Sequence, residues 1–236
     1  MKNIIVCKNC KTSNPFHQLT CLNCKGYLRE RVYNLDLWKL LEQLIESPIK
    51  GFTKIIHSEQ KNFIIFIIVL VSIKFFINTI FFFLINAQNN LSSLNGIRNY
   101  FIILTSVTLI ILIFTILIKI TNRLLNNITR IKDIFSILSY TLVPNIFALV
   151  ILFPLELIFF GEYLFSNNPS PFLIKEIAAY IMLVLEILMI LWTYFFSIMA
   201  LFTLTKSIIY SVSWGTFYVF MIFLTQYFLS FYLFTF

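Results

Sequence analysis

The chain has 236 residues, 59% of them apolar and 12% charged, with a formal net charge of +8. Soluble domains usually hold roughly 45 to 50% apolar and roughly 25% charged residues, so this balance excludes an ordinary soluble protein and assigns most of the chain to lipid. The basic residues are spread over several segments beside apolar runs and form no single patch, which argues against a nucleic-acid partner.

The first 28 residues are a unit of their own. Residues 1–6 contain no long apolar core, so no signal peptide is read there. They lead at once into VCKNCKTSNPFHQLTCLNCKGYL, in which Cys7 and Cys10 form one CxxC pair and Cys21 and Cys24 a second, ten residues later. In a reducing compartment two disulfides would not persist, and paired CxxC spacing favours a metal. Two such turns present four thiolates, which close a tetrahedral structural zinc site for one ion and leave no open position for catalysis. Apparent binding free energies of about 10 to 16 kcal/mol for structural zinc suffice to fold a segment with so little core. Asn14 and Pro15 read as the turn between the pairs. His17 is a spare ligand that four cysteines make unnecessary, and it is expected at the surface.

The CKNC and CLNCKGYL segments resemble the short zinc ribbons that many bacterial membrane proteins carry at their N-termini. The usual form has Gly after the second cysteine of each pair; here Lys11 and Lys25 stand in those places, with Gly26 one position later.

Residues 29–61 read as an amphipathic and juxtamembrane linker. Leu37, Trp38, Leu41, Leu44 and Ile45 fall on one helical stripe, while Lys39, Glu42 and Gln43 lie elsewhere. Pro48 breaks this helix, and Ile49, Phe52, Ile55 and Ile56 begin a second amphipathic turn. The pair either lies in the headgroup layer or packs on the end of a helix bundle.

Five apolar runs follow, at residues 62–86, 100–119, 134–160, 174–204 and 210–236, each near or above the roughly 20 residues that a helix needs to cross the hydrocarbon core. None alternates in polarity as a membrane β-strand must, so all five read as helices. Residues 62–236 are thus one five-helix transmembrane domain, and the fold class is mainly α. Ten Lys or Arg precede Asn62, Lys119, Arg123, Arg130 and Lys132 lie between the second and third runs, and Lys206 precedes the fifth; the other connections carry Arg98 and Lys175. This bias puts the N-terminus in the cytoplasm and, after five crossings, the C-terminus outside a cell membrane.

Within the runs, Lys74 and Glu186 are each the thirteenth residue of their segment and fall at the same depth, where they can pair. A structural pair locking two helices is the plain reading; a proton or substrate relay, or snorkelling to the interface, are the alternatives. Glu156 is expected to reach the headgroups. Pro144 and Pro154 kink the third helix. The aromatic residues of the last run read as packing and interface anchors. No phosphate-binding Gly loop, HExxH or nucleophile elbow is present in the sequence, so an enzyme is not expected.

The stretches ESPIKGFTKIIHSEQKNF and DIFSILSYTLVPNIFALVIL are similar to the Yip1 family of five-helix membrane proteins, on Pro48, Phe52, Tyr140 and Pro144, over residues 46–236. The resemblance implies a non-enzymatic membrane scaffold or adaptor that meets protein partners through its cytosolic N-terminal region. Eukaryotic members of that family are implicated in vesicle trafficking and contact small GTPases. The alternative is a small transporter or channel that uses Lys74, Glu186 and the kinked third helix, with a homo-oligomer supplying the symmetry that a five-helix chain without repeats lacks.

Overall fold

The computed structural model describes residues 3–86 and 96–235 of the chain. Met1 and Lys2 of the expected ribbon and Phe236 of the last run lie outside the described residues. Two short strands, β1 (Ile4–Val6) and β2 (Ser13–Pro15), precede an otherwise helical chain. The helices are α1 (Leu37–Glu46), α2 (Pro48–His57), α3 (Ile64–Asn86), α4 (Gly96–Leu124), α5 (Ile131–Tyr140), α6 (Val143–Phe147), α7 (Phe153–Phe160), α8 (Pro171–Ile174), α9 (Glu176–Thr205) and α10 (Ile208–Thr235).

Among the described residues five helical segments are long and apolar enough to cross a membrane: Ile64–Leu84, Gly96–Leu124, Ile131–Phe165, Glu176–Thr205 and Ile208–Leu233. The second begins four residues before the expected run and ends five after it. Polar turns around Arg98, Asn99, Asn122 and Arg123 continue the helix past its apolar stretch, where hydropathy alone ends it.

The third span is not one regular helix. The α pattern stops at Thr141 and Leu142, resumes in α6 with Pro144 in its first turn, passes through a π-helical turn at Ala148–Leu152, and resumes in α7 with Pro154 in its first turn; a 3-10 turn at Gly161–Phe165 ends it. Proline has no N–H to give to the preceding turn, so each break falls just ahead of a proline.

The described chain clusters into two compact units. The first comprises Met1–Ile65, Ile111–Thr141 and Phe195–Tyr218. In it β1 and β2 pair antiparallel, with Ile5 opposite Asn14. The Asn3 amide donates to the Thr203 and Leu204 carbonyls at 2.8 and 3.3 Å. Asp36 caps α1 by accepting from the Lys39 N–H at 3.2 Å. Gly51 lets α2 approach α1 closely, since a Cβ there would lie 2.8 Å from Leu44 Cδ2 and 3.2 Å from its Cα.

That approach decides which face of α1 is covered. Leu40 and Leu44 are buried, whereas Trp38 is 80% and Ile45 52% exposed. The single stripe expected from residues 37–45 therefore divides: the helix is apolar on two faces, and packing against α2 selects the face that carries Leu40. Farther along the unit, Phe52 meets Phe196 edge-on at 5.9 Å, and Phe114 packs on Trp214, Phe217 and Tyr218.

The second unit comprises Phe66–Ile110, Leu142–Tyr194 and Val219–Phe236. Phe160, Leu164, Ala179 and Met182 form its buried apolar cluster, with Phe81, Phe153, Leu155, Phe165 and Leu185 against it. Phe147 stacks on Trp192 at 5.6 Å, and the Asn145 amide donates to Thr193 Oγ1 at 3.1 Å.

Candidate metal centre and buried charge clusters

The two CxxC segments fold alike. The Lys11 N–H donates to the Cys7 carbonyl and the Cys7 N–H to the Thr12 carbonyl, both at 3.0 Å; the Lys25 N–H donates to the Cys21 carbonyl at 3.0 Å and the Cys21 N–H to the Gly26 carbonyl at 2.9 Å. This loop requires a left-handed residue after the second cysteine, and Lys11 and Lys25 take it with φ of 55° and 58°. Glycine adopts that conformation without strain, which explains its use at these positions in ribbons of this kind. Here lysine fills both places and the loops close nonetheless.

All four cysteines are free thiols, and their Sγ atoms lie within 4.8 Å of one another. Cys7 and Cys24 are 3.5 Å apart and Cys10 and Cys21 3.4 Å. Four sulfurs at about 2.3 Å from a tetrahedral zinc would be separated by about 3.8 Å, so the cluster has the size a metal ion needs. Its electrostatics point the same way. The Thr12 hydroxyl beside Cys10 draws that thiol down to about 6. At Cys24 the Gly26 amide favours the thiolate, yet the crowded Cys10 and Cys7 sulfurs push the group up to about 12. One thiolate forms readily, and the full set needs a cation among them.

Asn14, read from sequence as a turn residue, lies in β2 instead, and the turn follows at Phe16 and His17. Its buried amide donates to the Thr12 carbonyl at 2.9 Å and to Cys21 Sγ at 3.5 Å, and its Oδ1 accepts from the Leu22 N–H at 2.9 Å. One side chain thus braces both loops. His17 is outside the cysteine cluster and, contrary to expectation, half-buried; it lines a cavity of about 10 Å³ together with Phe16, Ile56, Asn127, Thr129 and Asp133. Burial lowers its titration from the ordinary imidazole value.

Asp133 of that lining is the centre of an ionic cluster that sequence reading missed. Asp133 is 1% exposed and shared by two cations: Lys61 Nζ lies 3.0 Å from Oδ1, Arg130 Nε 2.7 Å from Oδ2 and Arg130 Nη2 3.2 Å from Oδ1. Arg130 Nη2 also donates to the Ile56 carbonyl at 3.2 Å, and Lys61 to the carbonyls of Ile55 and Ile56. These carbonyls end α2, where the helix dipole favours positive charge. Burial draws Lys61 down to about 8 in spite of Asp133. His57 Nε2 donates to the Phe16 carbonyl at 3.2 Å, with the two rings 4.7 Å apart. Burial, with Arg29 nearby, lowers His57 to about 4. The signal for Asp133 was present as the one acid in RIKD after a run of basic residues, but the apolar run was begun at Ile134, whereas the span begins at Ile131 and takes Asp133 in.

In the second unit the structure brings Lys74 and Glu186 together. Lys74 Nζ lies 2.6 Å from Glu186 Oε1, with the Lys74 side chain 1% and the Glu186 side chain 21% exposed. Glu156 departs from expectation: it is 6% exposed and does not reach outward, and its Oε2 has no hydrogen-bond partner among the described residues. A π-turn holds one extra residue and so turns the following helix by about 100°, which re-aims α7 after Leu152. Gln226 of α10 is also buried, with neither end of its amide partnered among the described residues.

No family model matches the chain, and no curated protein or solved structure matches it.

Proposed function

We propose that this protein is a non-enzymatic multi-pass membrane scaffold or adaptor of the Yip1 type, with a structural zinc ribbon held in the cytoplasm for contact with protein partners. The observation that carries this reading is how the cysteine segment is seated within the first unit. Asn3 is fixed on the Thr203 and Leu204 carbonyls, Phe16 on His57, and Arg29 on the His17 and Gln18 carbonyls. A ribbon so anchored presents a rigid surface, which lowers the ordering cost of binding a partner. Zinc is the ion favoured by four thiolates in a closed set. The Yip1 likeness draws on residues with structural work of their own: Phe52 is fully buried, and the Tyr140 hydroxyl donates to the Asn62 carbonyl.

The test is affinity capture from native membranes with the intact chain and with the Cys21→Ser, Cys24→Ser variant. A partner retained only by the intact ribbon supports the adaptor; identical partner sets refute a role for the ribbon. Orientation is tested separately with an impermeant thiol reagent on intact cells. A cysteine at exposed Asn168 should react and one at exposed Asn126 should not, as follows from the bias of basic residues.

The transporter reading draws on one specific observation, the charged trio of Lys74, Glu186 and Glu156 beside a π-turn in the third span. Discontinuous helices near buried charges are a device of transporters, in which a homo-oligomer would complete the pathway. It predicts that a Lys74→Met, Glu186→Leu double variant is stable but inactive in the cell.

A further inference from the structure

Among the described residues the charges in the interior of the second unit do not balance: Lys74 and Glu156 are buried and Glu186 is half-buried. Lys74 on α3 gives its ammonium to Glu186 on α9 at 2.6 Å. Glu156 on α7 lies within electrostatic reach of both, and these two are the charged groups that act on it. Glu156 is itself 94% buried, and its Oε2 finds no partner among the described residues. On its own helix the positions one turn before and after it are apolar, Phe153 and the buried Phe160. Two carboxylates and one ammonium leave one uncompensated negative charge inside a membrane-length span, a state that hydrocarbon strongly disfavours. Lys74 acts on both acids, but its single charge cannot neutralise two carboxylates.

We infer that Glu156 is a proton-binding site, whose carboxyl holds an exchangeable proton at neutral pH beside the Lys74–Glu186 pair. Protonation removes the surplus charge without disturbing the pair. When the proton leaves, Glu156 becomes a second claimant for Lys74, so occupancy by a single proton sets which acid the lysine serves. The site lies where the third span departs from regular helix, at the π-turn Ala148–Leu152 and Pro154. Turns of this kind recur at functional positions in membrane and soluble helices. The inference does not depend on the scaffold reading, and its failure leaves the capture experiment untouched.

The test uses the full chain in its native membrane or in nanodiscs, with dicyclohexylcarbodiimide as probe. This apolar reagent adds to protonated carboxyls: the acid proton moves to a carbodiimide nitrogen and the carboxyl oxygen bonds the central carbon. Acyl migration to nitrogen then leaves a stable N-acylurea with no group lost. An adduct is expected at Glu156 at neutral pH, declining as pH is raised and lost in Glu156→Gln, while Glu186 stays unmodified. A second measurement needs no reagent access. The infrared difference between wild type and Glu156→Gln at neutral pH should show the carbonyl stretch of a protonated carboxyl. That band supports the site even without an adduct. Absence of both overturns it, as does an adduct that forms only after sodium is withdrawn, which would mark a cation site instead.

Discussion

The two buried ionic clusters of this chain are built on opposite balances. In the first unit one carboxylate, Asp133, is served by two cations, Lys61 and Arg130, which also donate to the Ile55 and Ile56 carbonyls. In the second unit one cation, Lys74, is bound to Glu186 at 2.6 Å with a further acid, Glu156, left over. The first arrangement is saturated with donors and holds a helix end, a loop and the start of the third span in one geometry. The second is short of positive charge in a region that cannot solvate the surplus. Saturated clusters are suited to holding structure, and unsaturated ones to binding something.

The largest test of this contrast is on the metal. Four crowded thiols are the other charge-rich feature of the first unit, and they too need a cation to ionise together. Cys21→Ser should release the proposed zinc ion. It should also open residues 3–28 to protease, since the stabilisation at stake approaches the about 10 to 16 kcal/mol of structural zinc sites. Insertion of the five spans depends on their hydrophobicity and should survive. Because Asn3 and Phe16 are bonded to Thr203, Leu204 and His57, the thermal midpoint of the membrane-inserted chain should fall as well. A variant that loses the metal and melts as wild type does would show that this seating carries no energy.

Next in size is Asp133→Asn. It strands Lys61, whose side chain is 8% exposed, against Arg130 with no counter-charge. Breaking a buried pair from one side usually costs about 3 to 5 kcal/mol. The lower end is expected here, because Arg130 is one-third exposed and can turn outward and Lys61 can give up its proton. In the second unit Lys74→Met should cost a further few kcal/mol, as should Glu186→Leu, and the double variant should recover most of the loss. Coupling in that cycle, read from detergent melting, shows that the two residues act as a pair. Simple additivity would mean that the contact at 2.6 Å contributes nothing.

How much of this was legible beforehand follows from what each feature needs. The membrane spans were readable because runs of some twenty apolar residues have few other uses. The cysteine cluster was readable because paired CxxC spacing is itself the geometry of a knuckle. Asp133 was missed because hydropathy drew the start of a span at Ile134 and assigned its neighbour to a loop. Glu156 was misread because its direction depends on a π-turn, and a π-turn leaves no periodicity in the sequence; Pro154 marks only a break. The buried face of α1 was decided by Gly51 on the next helix, a tertiary contact that no pattern within residues 37–45 encodes. Lys11 and Lys25 departed from the usual glycine, and only the backbone shows that the departure is accommodated.

The smallest expected effect tests whether the donor-rich character of the first unit extends beyond Asp133, and it is read at His57. Burial is the main reason that this imidazole is held near 4, and Arg29 and Lys61 add to it, while the hydrogen bond to the Phe16 carbonyl and, less, Asp133 oppose them. The folded value lies below the ordinary 6.5, so between these two values the unfolded chain binds the proton more readily than the folded one. The contribution of neutral His57 is therefore fully present above about pH 6.5 and is lost as pH falls toward about 4. His57→Leu keeps most of the apolar packing, removes the titration, and gives up the hydrogen bond to the Phe16 carbonyl, worth about 1 kcal/mol. At pH 7.5 the wild type should melt higher than the variant. At pH 5 the gap should narrow or reverse, and titrations common to both proteins, those of the cysteine cluster included, cancel in the difference. A gap that stays constant from pH 7.5 to 5 would mean that His57 accepts a proton in place, so that the surrounding cations do not set its charge.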